Sequence, residues 1–212
     1  MNLSAQQDSL DHYGFVYLDQ ELSHANFDLR YAYRNNFLGR PVSGYGAPHV
    51  AITRQAASQI TLIEEELNTM GYHLKIFDAY RPQRAVNEFR VWASDLSDTL
   101  TKHQYYPEVN KQDLFRLGYI ATRSGHSRGS TIDLTICYNH TGAEVDMGGP
   151  FDFFGELSHH SFNQITEHQK ANRMMLKSIM MKYGFKPYAK EWWHYTLREE
   201  PHPNRYFDFV VE

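Results

Sequence analysis

The chain is 212 residues long, enough for one domain with a substantial core, and its 42% hydrophobic and 22% charged residues are ordinary for a soluble globular protein. A formal net charge of -4 with no basic stripe excludes a nucleic-acid binder, since nothing is there to neutralise phosphates. The single cysteine, Cys137, excludes an internal disulfide and fits a reducing compartment, and no apolar run is long enough to cross a membrane.

Residues 1–12 are polar and are expected to be a loose end. They lack the basic and apolar regions of an export signal, so a cytoplasmic location is expected. Phe15 to Leu18 reads as a short strand, and Phe27 to Arg40, without a clean period, as an ordered loop. The spacing predicts a helix over Thr53 to Met70: Ile60, Ile63 and Leu67 form its apolar stripe, Glu64, Glu65 and Glu66 its solvated side, and Gly71 its C-cap. A strand through Leu74 and Ile76 leads into Asp78 and Arg81. Pro82 then opens a second helix at the position proline prefers, with Val86, Phe89, Ala93 and Leu96 at core spacing. Arg81 therefore falls on a strand-to-helix turn, where a side chain can point into a cleft or into solvent.

Thr99 to Glu108 reads as a long loop, and Lys111 to Leu117 as a short helix closed by Gly118. The stretch from Ser124 to Ile136, SGHSRGSTIDLTI, ends in a strand. Asn139 to Gly142 is a turn, which predicts a hairpin return over Ala143 to Met147. Cys137, directly after the strand, reads as a buried structural thiol. Gly148, Gly149 and Pro150 make a loop that delivers Asp152. The clearest helix runs from Glu167 to Tyr183, with Ala171, Met175, Ile179 and Tyr183 on one face, joined by Met174, Leu176 and Met180, and Gly184 stopping it. Its methionines are core, not a metal site. Trp192 to Leu197 and Tyr206 to Val211 are the last expected strands.

The Ser124–Ile136 stretch carries the chemistry. Gly129 makes a turn between His126 and Asp133. From Ser130 onward Thr131, Asp133 and Thr135 alternate with Ile132, Leu134 and Ile136, so the apolar row packs on the core and the polar row faces a cavity. An imidazole beside a carboxylate fixed on a strand is a pair of zinc ligands. EWWHYT, Glu191 to Thr196, offers a third in His194, with a carboxylate three residues ahead of it. Three protein ligands would leave the fourth position open, as in a catalytic site, whereas a structural site would want four ligands, typically thiolates. His159 and His160 are adjacent, but neighbouring side chains diverge, and both stay unassigned.

These segments resemble the zinc D-alanyl-D-alanine peptidases, whose pattern S-x-H-x-x-G-x-x-x-D followed by E-x-W-H matches Ser124, His126, Gly129, Asp133, Glu191, Trp193 and His194. The likeness is closest to the VanX-like D-Ala-D-Ala dipeptidases, through FDAYRPQRA (Phe77 to Ala85), MGGPFDFF (Met147 to Phe154) and EEPHPNRYFDF (Glu199 to Phe209). It runs from about Phe15 to the C-terminus. The resemblance implies a single α+β domain over residues 1–212, with helices packed on an antiparallel sheet and one zinc per chain in a central cleft. Within it Glu191 resembles the general base that takes a proton from water and hands it to the leaving amine. The alternative for Glu191 is a carboxylate that orients a ligand histidine. Arg81 looks like the electrophile that stabilises the oxygen developing negative charge, with Asp78 orienting it. Asp152 falls where the dipeptidases bind the substrate ammonium, and Tyr31 where a tyrosine helps hold it, although a tyrosine packed on the core would look the same in sequence. Ser124 matches a serine near the substrate carboxylate or scissile peptide. Gly125 departs from relatives that can carry serine there.

The resemblance implies hydrolysis of the small dipeptide D-Ala-D-Ala to two D-alanines, in glycopeptide resistance or in wall turnover, with no nucleic-acid or membrane partner; self-association stays open. Two alternatives come with it. One is a peptidoglycan D,D-carboxypeptidase or endopeptidase of the same superfamily, which would act outside the cytoplasm. The other is a non-catalytic zinc-binding module, which would need neither Glu191 nor Arg81.

Overall fold

A computed structural model describes residues 10–212. Seven strands and three long helices frame it: β1 (Phe15–Tyr17), β2 (Asn26–Phe27), β3 (Ala51–Thr53), α1 (Arg54–Thr69), β4 (Tyr72–Asp78), α2 (Gln83–Ser94), β5 (Thr131–Tyr138), α3 (Glu167–Lys182), β6 (Phe185–Tyr188) and β7 (Glu191–Leu197). The main sheet has the order β2-β4-β5-β7-β6, and β1 pairs with β3 in a second, two-stranded sheet. Every pairing is antiparallel except at the β2 edge, which runs parallel to β4. This is the expected α+β architecture of helices against a mainly antiparallel sheet.

Of three buried clusters among the described residues, two are the largest. The larger joins Ile60, Ile63 and Leu67 of α1 to Leu74 and Ile76 of β4, Ile132, Leu134 and Ile136 of β5, and Leu176 and Met180 of α3. The smaller is aromatic: Tyr31, Phe37, Phe89, Trp92, Tyr105, Tyr106 and Phe154 pack on one another away from the sheet. The segment Thr99 to Glu108, read as a plain loop, contributes Tyr105 and Tyr106 to this cluster from a helical turn at Lys102–Tyr105. Burying two tyrosines there turns a loop by sequence into a wall by packing.

Several expectations are corrected. Residues 1–9 of the supposed loose end lie outside the described residues, but Leu10 to His12 are helical and Leu10 is buried. Glu64 is not solvated. It is buried and accepts the Leu74 N–H at 2.7 Å, tying α1 to the start of β4. The buried face of α3 is rotated to Asn172, Arg173, Leu176, Ile179 and Met180, while Met174 is two-thirds exposed at 66%. The return over Ala143 to Met147 forms only an isolated bridge, Cys137 to Glu144, because β4 holds one edge of β5 and β7 already takes the start of the other. Tyr206 to Val211 is extended but joins no sheet beyond a bridge from Val211 to Tyr45. Phe185–Tyr188 does form a strand, at the sheet edge where Pro187 leaves no central donor missing. Cys137 is buried and free, as expected.

That C-terminal tail still has a role. The Phe207 N–H donates to the Ser127 carbonyl at 2.8 Å, the Gln83 N–H donates to the Phe207 carbonyl at 3.0 Å, and Phe209 stacks on Tyr80 with ring centroids 4.1 Å apart. The end of the chain thus clasps the 125–128 turn and the start of α2 together.

Gly129 closes that turn with φ +86°, and a β-carbon there would meet the Phe15 ring at 2.2 Å. Gly142 has a similar φ of +70° with nothing near it. Both should lose about 1–2 kcal/mol on substitution by alanine from the left-handed backbone alone. Overpacking adds about 1–3 kcal/mol more at a tight site. Gly129→Ala should therefore lower the denaturation midpoint clearly further than Gly142→Ala; equal shifts would remove the Phe15 contact as the reason for glycine at 129.

Candidate active site

Three neighbouring strands set one row of side chains. Asp133 on β5 lies opposite His194 on β7 and opposite Asp78 on β4. Asp78 reaches that row through an irregularity. Up to Ile76 opposite Leu134 the β4–β5 register is constant, and continued it would place Asp78 opposite Ile132. One extra residue, Phe77, shifts the register and brings Asp78 to Asp133 instead, the re-aiming that a β-bulge performs.

His126 enters from a 3₁₀ turn, Gly125–Arg128, whose first N–H groups are capped when Ser124 Oγ accepts from the His126 N–H at 3.3 Å. The His126 Nδ1–H donates to the Ala79 carbonyl at 2.6 Å, which fixes the tautomer and leaves the Nε2 lone pair free. That nitrogen lies 3.2 Å from His194 Nδ1 and 3.2 Å from Asp133 Oδ2, while His194 Nδ1 lies 3.0 Å from Asp133 Oδ1. Asp133 is 2% exposed, and its Oδ1 accepts no hydrogen bond from the described residues. Lone-pair atoms pressed together in this way suit a shared cation. Their separations approach the ~3.3 Å donor–donor edge of a tetrahedron with bonds of ~2.0 Å, and two imidazoles with a carboxylate are a zinc-type donor set. The residues fit the metal that the sequence implies. Burial opposes ionisation of Asp133, but the two imidazoles outweigh it and hold its carboxyl below the usual range.

Glu191 stands beside this cluster, Oε2 3.3 Å from His194 Nδ1. On a regular strand residues three apart face opposite sides. Here the β6–β7 pairing shifts between Pro187–Tyr195 and Tyr188–Glu191, and both side chains turn to the same face. Burial first, then the nearby Asp133 charge, pushes the Glu191 carboxyl up to about 7 against the pull of His194.

Arg81 leaves the strand-to-helix turn for the interior, not for solvent. Its Nε donates to Asp78 Oδ2 at 2.9 Å, and its Nη2 lies 2.8 Å from the same oxygen and 3.4 Å from Asp133 Oδ2. Tyr31 and Phe89 flank the guanidinium, with centroids at 4.9 and 5.1 Å. The other Asp78 oxygen accepts the Tyr45 hydroxyl at 2.8 Å. Tyr45 thus completes the cradle of Asp78, and nothing in the sequence GYGAP pointed to it.

At the far side the Tyr31 hydroxyl donates to Asp152 Oδ2 at 2.9 Å. Burial raises the Tyr31 hydroxyl well above its ordinary range and keeps it a donor. Asp152 is 6% exposed and sits at φ +62°, where a non-glycine residue is strained. Burial, then the like charge of Asp133, raises its carboxyl well above the usual range despite Arg81. Asp133, His126, His194, Glu191, Arg81, Asp152, Tyr31 and Ser124 all line one cleft of about 310 Å³, with Asp78 behind it. That volume is at the small end of ligand pockets. Phe89, Phe154, Tyr119 and Tyr188, unforeseen in the sequence, supply its aromatic wall. A β-carbon at Gly125 would lie 2.8 Å from Thr131 Oγ1, so a side chain there requires the Thr131–Thr196 hydroxyl pair to move. Neither His159 nor His160 lines the cleft.

The D-ala-D-ala dipeptidase family matches residues 11–212. A D-alanyl-D-alanine dipeptidase of Enterococcus faecium is 45% identical over 199 residues, 94% of this chain and 98% of that one. One from Streptomyces coelicolor is 43% identical over 93% of this chain and 98% of its own. One from Escherichia coli K12 is 31% identical over 80% of this chain and 77% of its own. Among solved structures, the vancomycin-resistance D,D-pentapeptidase VanY is 12% identical with a TM-score of 0.43 over 72% of this chain and 76% of that chain, too distant to carry an argument. The identities, the near-complete coverage and the match from residue 11 to the last residue agree: the chain belongs to the D-Ala-D-Ala dipeptidase family.

Proposed function

We propose that this protein, acting as one catalytic domain in the cytoplasm, hydrolyses the free dipeptide D-Ala-D-Ala to two D-alanines, with one zinc ion held by His126, Asp133 and His194. The observation that carries the reading is the meeting, in one small cleft, of a metal-ligand trio, a carboxyl near neutrality and an acid–tyrosine pair at the opposite end. Zinc bound by that trio supplies Lewis acidity, activating water and polarising a carbonyl. Glu191, titrating near neutrality, takes the proton of the attacking water and delivers it to the leaving amine. Arg81, held flat by Asp78 and the two rings, points its guanidinium at the oxygen that gains charge as the carbon becomes tetrahedral. Asp152 and Tyr31 hold the substrate ammonium: an arriving cation pairs with the carboxyl, and the tyrosine hydroxyl fixes its direction. The single cysteine and the small cleft support action on a free dipeptide in a reducing compartment.

Purified protein should carry about one zinc per chain by elemental analysis, chelation should abolish activity, and His194→Ala should lose the metal; full occupancy in that variant would remove His194 from the site. Glu191→Gln keeps shape and loses the base, so zinc should stay while kcat falls ~100-fold or more. Near-normal turnover there would leave Glu191 as a support for His194 only.

Substrate length tests the amine end. Acetylation removes the cation that would pair with Asp152 and adds bulk beside it, and a site built for a polar group rejects an analogue lacking it by far more than ~10-fold, so N-acetyl-D-Ala-D-Ala should be cleaved at least ~100-fold less efficiently than the free dipeptide. Asp152→Ala should narrow that gap, chiefly by damaging the reaction of the free dipeptide. Equal kcat/KM on both substrates in the unmodified protein would make it a carboxypeptidase.

A further inference from the structure

Asp152 reaches the cleft on a long excursion between β5 and α3 that contains no strand, and its backbone is in a region that only surrounding structure can enforce. What enforces it comes from α3. Arg173, 4% exposed, donates from Nε to the Met147 carbonyl at 2.6 Å, from Nη2 to the Leu157 carbonyl at 2.9 Å and from Nη1 to the His159 carbonyl at 3.0 Å. One guanidinium therefore joins the backbone five residues before Asp152 to the backbone five and seven residues after it. Among the described residues it forms no ion pair with a carboxylate, which is unusual for a buried arginine. Gly149 lets the two feet of this excursion approach each other: a β-carbon there would meet the Leu157 side chain at 2.9 Å. The preceding residue extends the grip, since Asn172 Nδ2 donates to the Asp146 carbonyl at 2.8 Å. Neither residue lines the cleft or approaches the metal-ligand trio.

We propose that Arg173 is the positioning residue of the amine-binding end: by clamping both feet of the 147–159 segment it fixes Asp152 where the substrate ammonium must land, and so sets the preference for a free dipeptide. The inference rests on Asp152 holding that ammonium. A planar fork with three separate donor directions suits the task, and lysine, a single point donor, would close one or two of the three contacts at most. Loosening the clamp leaves the ligands on β5 and β7 and the base on β7 where they are, so loss should be selective for substrates that use Asp152.

The test is a double-mutant cycle on the full chain, measuring kcat/KM for D-Ala-D-Ala and N-acetyl-D-Ala-D-Ala together with zinc per chain. Arg173→Met should reduce efficiency on the free dipeptide by ~10-fold or more, change the acetylated substrate by less than ~3-fold, and leave zinc in place; placed on Asp152→Ala, it should cost less than ~3-fold on either substrate. Arg173→Lys should fall between, with the same selectivity, and serves if the methionine variant does not fold. Equal losses on both substrates, or the same loss with and without Asp152, would reduce Arg173 to a general support of the fold and overturn the proposal. The Asp152→Ala arm alone reports on the underlying reading: unchanged discrimination in that variant would take both down, whereas lost discrimination there with unselective Arg173 variants would sink only the clamp.

Discussion

Four carboxyl groups converge on one guanidinium. Asp78, Asp133, Asp152 and Glu191 all lie at or just behind the cleft, and Arg81 is the cation placed among them. At an effective dielectric of about 20, two like charges ~4 Å apart repel by roughly 4 kcal/mol. The protein cannot keep all four acids ionised with Arg81 alone. Asp133, gripped by two imidazoles, stays charged, while Glu191 moves to about 7 and Asp152 well above the usual range. Those shifts describe a cleft with more acid than the single guanidinium can neutralise, at the imidazole end and at the Asp152 end alike.

The same imbalance explains why the surroundings are built as they are. Asp78 could not remain buried beside Asp133 without Arg81, and both of its oxygens are occupied, by Arg81 on one side and Tyr45 on the other. Tyr31 and Phe89 flank the guanidinium where it is not already paired with Asp78 and Asp133, and so shield those pairs from solvent. The aromatic cluster is thus more than filler: it is the dry wall that makes each of these charge interactions count.

The grouping of His126, Asp133 and His194 was legible because much of its information is local. His126, Gly129 and Asp133 are fixed by a turn and a strand period, and Glu191 with His194 lies in a single short segment. The fold class followed from the same periodicities and from the family likeness. What the chain hid was set by irregularities or by distant partners. The bulge at Phe77 aims Asp78, and the shift at Tyr188 lets residues three apart share a face. The left-handed Asp152 has no sequence signature, since GGPFD could turn in several ways. Glu64 read as solvated helix surface and Arg173 drew no reading at all, yet each is buried and hydrogen-bonds backbone groups of another segment. The buried face of α3 was misplaced for that reason: its apolar residues were counted, while the polar ones actually facing inward were not.

The clasp made by residues 207–209 makes the cleft depend on side chains that never touch it. The turn that presents His126 is secured by Phe207, its partner His194 lies only 13 residues before Phe207, and Gln83 at the head of α2 closes on the same tail residue. Two backbone hydrogen bonds at one residue thus hold the His126 turn and the head of α2 in register with each other. A change at Phe207, which lines no part of the cleft, would therefore be felt inside it.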